Sequence, residues 1–279
     1  DFQVYYTFGL AIPENDTALG DASVPQGAGY ASFTLAADGK YKLAGKTPDG
    51  ESLTTAGISG PAGQILVFQT FYKPAAGSLL GVPVISTTGG ATPQDRPLMG
   101  DADWLRPENT NLKHRVFRAG FALQPMSIMG GRYSLPDAGN VVMNLAPDSQ
   151  VTMSFLEGGI GTTFDGPPGQ TSRVDMTLRI DAKNKLITVA GPALPDTNKP
   201  KPIAPKTGLF GGSIGLQDGN PVPNGKPNPV KRTAAYQGIL IRDGAEYIGV
   251  GYFLLPNLPT DAVNPPTTPT TSPIESGMV

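Results

Sequence analysis

Three kinds of residue in this chain could do chemistry: scattered carboxylates, one histidine in a basic cluster, and a glycine-rich run. Hydrolysis of a glycosidic bond needs two carboxylates facing each other across a cleft. The candidates are Asp101 and Asp103 in "GDADW", Glu157 in "FLEGG", Asp165, Asp175, and Glu246 in "GAEYIG". Asp101 and Asp103 lie two apart, so on a strand they share one face, with Trp104 on the other. A calcium site there lacks the alternating oxygen ligands and the glycine of an EF-hand loop. Turn or solvent-facing strand positions account for the whole set. His114 is the one histidine, in "NLKHRVF" beside Lys113, Arg115 and Arg118. It excludes a multi-histidine metal site, and no G-x-S-x-G elbow supplies a nucleophile for it to activate. The expectation is a protein that is not an enzyme, with no catalytic residue, cofactor or metal.

The glycine-rich run is "KTGLFGGSIGL", residues 206–216. A phosphate loop ends in Gly-Lys-Ser/Thr and opens a helix. This run continues instead into "LQDGNPVPNGKP", which cannot begin one. Its glycines are expected at strand positions where a bend, a bulge or a bulky neighbour across the sheet excludes a side chain.

Aromatic residues are a further resource, because ring faces stack on the apolar side of a pyranose. Alternation places Phe68, Trp104, Tyr236 and Phe253 in cores, the default for large apolar side chains. Tyr72, Trp104 and Tyr247 are the candidate glycan contacts. "DFQVYYTFGL" is different, since an apolar terminal strand must be covered by its own sheet or by another subunit. Phe2, Val4, Tyr6 and Phe8 are therefore candidate subunit contacts, with Ile274 and Val279 at the other end of the chain.

The elements that must position these residues are strands. Glycine (36) and proline (29) interrupt nearly every window long enough for an amphipathic helix, while 39% of the 279 residues are hydrophobic. "YASFTLA" and "KYKLAGK" flank Asp38-Gly39, and "PDG" at 48–50 marks the next turn. The later runs have the spacing of an antiparallel meander, closed as a barrel or folded as a sandwich. A degenerate repeat relates the halves. "FTLAADGKYKLAG" lines up with "LRIDAKNKLITVAG", "AAGSLLGVPVI" with "KTGLFGGSIGL", and "DRPLMGDADWL" with "RTAAYQGILIR". The expected architecture is all-β: two related antiparallel β-barrel or β-sandwich modules, residues 1–125 and 126–279, with proline-rich loops. Those loops, at 191–208, 218–232 and 255–277, favour extended conformations that join no ladder.

Composition bounds the partners. Only 16% of residues are charged and the net charge is −2, which leaves no electrostatic footprint for nucleic acid or an anionic membrane. No apolar run approaches the roughly 18 residues of a membrane helix, so no membrane insertion is expected. With no cysteine there is no disulfide, thiolate metal site or cysteine nucleophile. The opening "DFQ", lacking an initiator methionine, is read as the start of a processed, exported chain.

"PKTGLFGGSIGL", "RTAAYQGILIRDG", "IGVGYFLLP" and "SPIESGMV" resemble the repeated module of large, mostly uncharacterised exported bacterial surface proteins. "GAGYASFTLAADGKYKLAGKTPDGESLTT", "GDADWLRP" and "FRAGFAL" resemble that group's preceding lobe, so the likeness spans roughly residues 27 to 279. Glu275 departs from the pattern, which has an apolar residue there. The resemblance implies a β-rich extracellular module and carries no activity or cofactor. It also implies that "SGMV" returns to a sheet edge as a final strand, within the chain or on a neighbour. The expected function is an exported structural or adhesive component of a surface or extracellular assembly, whose partners are other protein subunits. The alternatives are a carbohydrate-binding module that takes polysaccharide through its aromatics and, third, a hydrolase with a carboxylate pair.

Overall fold

The computed structural model describes residues 4–74, 76–88, 96–161, 172–190 and 196–279. Two antiparallel sheets, each rolled into a nearly closed barrel, make up the chain. The first holds β1 (Tyr5–Ala11), β2 (Gly29–Leu35), β3 (Lys40–Lys46), β4 (Ser52–Ile58) and β5 (Val67–Phe71), then β6 (Gly77–Gly81), β7 (Val84–Ile85), β8 (Pro97–Arg106) and β9 (Phe121–Arg132). The second holds β10 (Gln150–Glu157), β11 (Arg173–Ile180), β12 (Leu186–Ala190), β13 (Thr197–Pro200), β14 (Leu209–Asp218), β15 (Val230–Asp243), β16 (Glu246–Pro256) and β17 (Ile274–Met278). A 3-10 turn, Val142–Asn144, lies between the sheets in sequence.

Local chemistry explains the hairpins. The β2–β3 loop closes with Ala36 N–H on the Lys40 carbonyl and Gly39 N–H on the Ala36 carbonyl, with Gly39 at φ +80°. The β3–β4 loop repeats that pattern at Thr47 and Glu51 with Gly50, and the β11–β12 loop repeats it at Asp181 and Lys185 with Asn184. Glycine and asparagine tolerate the left-handed position that closes each loop.

The sheet orders are β4-β3-β2-β1-β9-β8-β6-β5 and β12-β11-β10-β17-β16-β15-β14-β13, with β7 beside β8. Superposed by position, β6 matches β14 and β8 matches β15, as the repeat expected. The β11–β12 hairpin, however, matches β3–β4 rather than β2–β3, because two similar hairpins follow each other in the first half. β1, the first strand of one barrel, matches β17, the last strand of the other. The two barrels are thus circular permutations of one meander.

Three expectations are corrected here. The boundary at 125/126 falls inside β9, which pairs with β1 as far as Arg132. β1 is no exposed terminal strand: it pairs with β2 on one edge and with β9 on the other. Phe68 points outward and is 45% exposed, while Val67 and Phe71 of the same strand face the core.

Alternate side chains fill each interior. Tyr6, Phe8, Phe33, Leu43, Trp104 and Met126 belong to the first core; Phe155, Leu178, Ile214, Tyr236 and Phe253 belong to the second. A third cluster lies where the barrel walls meet, with Tyr30 of β2 against Ile239, Ile241 and Tyr252 of β15 and β16. The Tyr30 and Tyr252 rings stack at 6.4 Å between centroids. Gly212 answers the question raised by the glycine-rich run. It sits on β14 opposite Tyr236, where an added Cβ would lie 2.4 Å from the tyrosine oxygen. Gly208, at φ +73°, makes the turn that enters the strand.

Candidate functional site

The sequence-derived candidates do not converge. Asp101 and Asp103 face solvent from β8, with Trp104 on the inner face. Asp175 accepts bonds from Ser154 and Arg173 on the open face of β11. Glu246 is exposed at the β15–β16 turn. Asp165 lies outside the described residues, as does Phe2. Glu157 opens the turn after β10, its carbonyl accepting the Ile160 N–H, but it is buried rather than solvent-facing: it is 8% exposed, and its Oε1 accepts the Ser172 N–H at 3.2 Å. Among the described residues no group of three or more His, Asp or Glu could hold a metal ion. His114 lies on a loop, in a groove with Arg115, Arg118 and Glu275, and its buried Nδ1 has no hydrogen-bond partner.

The aromatic candidates are engaged within the protein. Trp104 is fully buried, so neither ring face is open to a sugar, and its Nε1 donates to the Tyr72 hydroxyl at 3.1 Å. Tyr247 meets Tyr133 edge-to-face at 5.7 Å, and its hydroxyl accepts the Ser134 N–H at 2.9 Å. Tyr72 belongs to a polar cluster that sequence reasoning missed. Its hydroxyl donates to Asp49 at 2.7 Å, and the same carboxylate pairs with Arg106, the two side chains being 0% and 1% exposed. Arg106 also donates to the carbonyls of Phe117 and Val116 and stacks 4.4 Å from the Tyr72 ring centroid. Burial, reinforced by the Asp49 charge, raises the Tyr72 hydroxyl pKa far above the usual phenol range. Tyr72, Trp104 and Arg106 thus each donate to a protein acceptor, and the buried Asp49–Arg106 pair at the centre of the network braces this end of the barrel.

The terminal strands are structural as well. Tyr6 and Phe8 are 3% and 0% exposed in the first core, and Val4 packs against it. Ile274 opens β17 and Val279 follows it, and Ser276 of that strand reaches into the first barrel's territory. Its Oγ donates to the Pro48 carbonyl at 2.6 Å and accepts the Gly27 N–H at 3.2 Å. Arg115 holds the approach to β17 through the Ser272 and Pro269 carbonyls. Val4, Tyr6 and Phe8 at one end, and Ile274 and Val279 at the other, are therefore engaged inside the chain.

What remains available lies in the barrel walls. β4 and β5 are not hydrogen-bonded to each other as strands, and the seam between them is bridged by Gln69. Its amide donates to the Ser52 carbonyl at 2.9 Å and accepts the Thr54 N–H. Among the described residues a second seam has no such bridge. β17 pairs with β10 only at Leu156 and Glu157, and with β16 only from Tyr252 to Pro256. β1, in the equivalent place, pairs along its length on both sides. Beyond Val279 the wall between β10 and β16 opens onto a cavity of about 220 Å³, lined by Val151, Met153, Leu178, Phe210, Leu240 and Gly249 among others. This arrangement offers backbone hydrogen-bonding groups above an apolar floor. No known protein family, curated protein or solved structure matches the chain.

Proposed function

We propose that the protein is an exported structural or adhesive component of a cell-surface or extracellular assembly, holding other protein subunits through apolar outer faces and strand edges. The observation that carries this reading is a patch of apolar side chains turned outward across β5 to β8. Phe68 and Leu80 stand directly opposite each other at 45% and 47% exposure, and Val84 and Met99 do the same at 39% and 56%. Leu66 and Val82 extend the patch. Scattered apolar residues on a surface are ordinary, but paired ones on adjacent strands form a continuous face that favours contact with another protein. The likeness of the strand motifs to exported surface modules supports the location. The buried state of Trp104 and the internal pairing of Tyr72 and Tyr247 leave the carbohydrate alternative without a platform.

The test is the oligomeric state in solution, by light scattering, of the wild-type chain and of a Phe68→Lys/Leu80→Lys variant. Both residues point away from the core, so the fold should survive, which circular dichroism checks. Self-association that the double substitution abolishes is the expected result. A monomer at all concentrations for both forms, with no recovery of other proteins on the wild-type surface, would overturn the reading.

A further inference from the structure

Three loops drawn from both barrels meet around a groove of about 520 Å³, the size of a ligand site. The β1–β2 connection supplies Ala22 and Ser23, the β8–β9 connection most of residues 112–120, and the β16–β17 connection the facing wall. These walls hold one another in place. The Ile274 N–H donates to the Arg115 carbonyl at 3.0 Å, and Arg115 donates in turn to the Ser272 and Pro269 carbonyls at 2.6 and 3.1 Å. From the first barrel, Arg106 fixes the carbonyls of Phe117 and Val116. A groove built in this way spends little ordering energy when a ligand enters.

Its charge is one-sided. His114, Arg115 and Arg118 line it against one carboxylate, Glu275, whose Oε1 already accepts the Asn257 amide at 2.5 Å. The chain as a whole has a net charge of −2, so composition does not account for this local excess of bases. Arg118 is exposed, and its guanidinium makes no hydrogen bond or ion pair among the described residues. The orphaned Nδ1 of His114 adds a buried polar atom on the same wall, where such atoms are ordinarily satisfied. The lining is also apolar: Leu112 and Val263 are 80% and 51% exposed. A small inorganic anion would leave both in water. A pyranose would find no ring to stack on, because Phe117, the one aromatic residue of the lining, is 9% exposed. A peptide that carries carboxylates beside aliphatic side chains satisfies the bases and covers the apolar residues together.

We infer that this groove docks an acidic peptide segment of a partner protein, with a carboxylate on Arg118 and aliphatic side chains against Leu112 and Val263. A guanidinium matches a carboxylate through two parallel N–H bonds, which fixes the segment's position as well as its charge. The opposed charges steer the encounter, and the covered apolar area slows release. The inference rests on the assembly reading and gives it a second contact of defined chemistry, separate from the apolar patch on β5 to β8.

The probe is a dye-labelled peptide, Gly-Leu-Asp-Val-Glu-Leu-Gly, followed by fluorescence anisotropy against the 279-residue chain. Saturable binding below about 1 mM is expected, weakening as salt rises, with new amide-exchange protection at Leu112, Arg118 and Val263. Arg118→Glu should weaken binding about tenfold or more, and Arg118→Lys, which keeps the charge without the paired N–H bonds, should weaken it less. Leu112→Ser/Val263→Ser should weaken binding while leaving its salt dependence in place. All three positions are exposed, so the fold should survive, which circular dichroism checks. The same peptide with Asn and Gln for Asp and Glu should bind about tenfold more weakly or not at all. No saturable binding by about 1 mM, equal binding of the uncharged peptide, or full binding to Arg118→Glu or to Leu112→Ser/Val263→Ser would each overturn the inference. Saturable binding of an oligogalacturonate in place of the peptide would overturn it as well. The Phe68→Lys/Leu80→Lys chain should bind the peptide as the wild type does, so this inference and the assembly reading fail separately.

Discussion

Removing Asp49 is the most demanding test of how the first barrel is braced. In the Asp49→Ala variant the Arg106 guanidinium, 1% exposed, stays buried beside Tyr72 with only the Phe117 and Val116 carbonyls as acceptors. An orphaned buried charge of this kind costs about 3–5 kcal/mol. For a chain of this size each kcal/mol moves the melting temperature by roughly 2–4 °C, so a drop of about 6–20 °C is expected in a circular dichroism melt. The companion variant Asp49→Ala/Arg106→Leu removes both charges and should recover part of the loss, because the penalty belongs to the unpaired ion rather than to the missing bond. A single variant that melts within about 1 °C of wild type would show that water reaches the pair. A double variant whose effect equals the sum of the two single ones would refute the coupling itself.

Ser276→Ala leaves the buried Pro48 carbonyl and Gly27 N–H without their partner, at a cost of about 1–3 kcal/mol, and faster amide exchange at Gly27 should report it. Gly212→Val drives a branched side chain into the Tyr236 ring and should destabilise by about 1–3 kcal/mol in urea unfolding, whereas the same change at exposed Gly219, where an added Cβ meets nothing, should not. Alkali should unfold the protein through its tyrosines. Burial pushes Tyr30 and Tyr133 up to about 12, above the value of 10 expected for an unfolded chain. Folding then favours the protonated form, so stability is intact below about pH 10 and is lost as pH climbs toward and through 12. Tyrosinate absorbance should rise together with loss of the circular dichroism signal; titration near 10 in a folded protein would refute this.

The hairpins were legible because their information is local. Asp38-Gly39 and Pro48-Asp49-Gly50 specify a backbone conformation within four residues, and the structure places turns there. Gly212 was legible in kind, as a glycine under a bulky cross-strand neighbour, though not which neighbour. The orientation of β5 was not. In "QILVFQTFY" both alternating sets carry apolar residues, so periodicity identifies a strand without saying that Val67 and Phe71 point in and Leu66 and Phe68 point out. Asp49 read only as a turn residue, since its partner Arg106 lies 57 positions away and nothing local marks the pairing. The place of β1 was hidden for the same reason. Its ladder to β9 joins Tyr6 to Arg132, and sequence patterns carry no record of so distant a neighbour.

The permuted order of the two barrels sets a timetable for their making. A ribosome releases β1 more than a hundred residues ahead of its partner β9, and β10 waits a similar span for β17. At roughly 5–20 residues per second each waiting period lasts on the order of ten seconds, during which one edge of β1 or of β10 stands bare while the other is paired. Each barrel waits with a paired sheet that has one open edge, β1 on its β9 side in the first and β10 on its β17 side in the second. A nascent chain of this design is exposed to mispairing with its neighbours twice, and a holdase that recognises extended apolar segments would have its natural work at Tyr5–Ala11 first and at Gln150–Glu157 later.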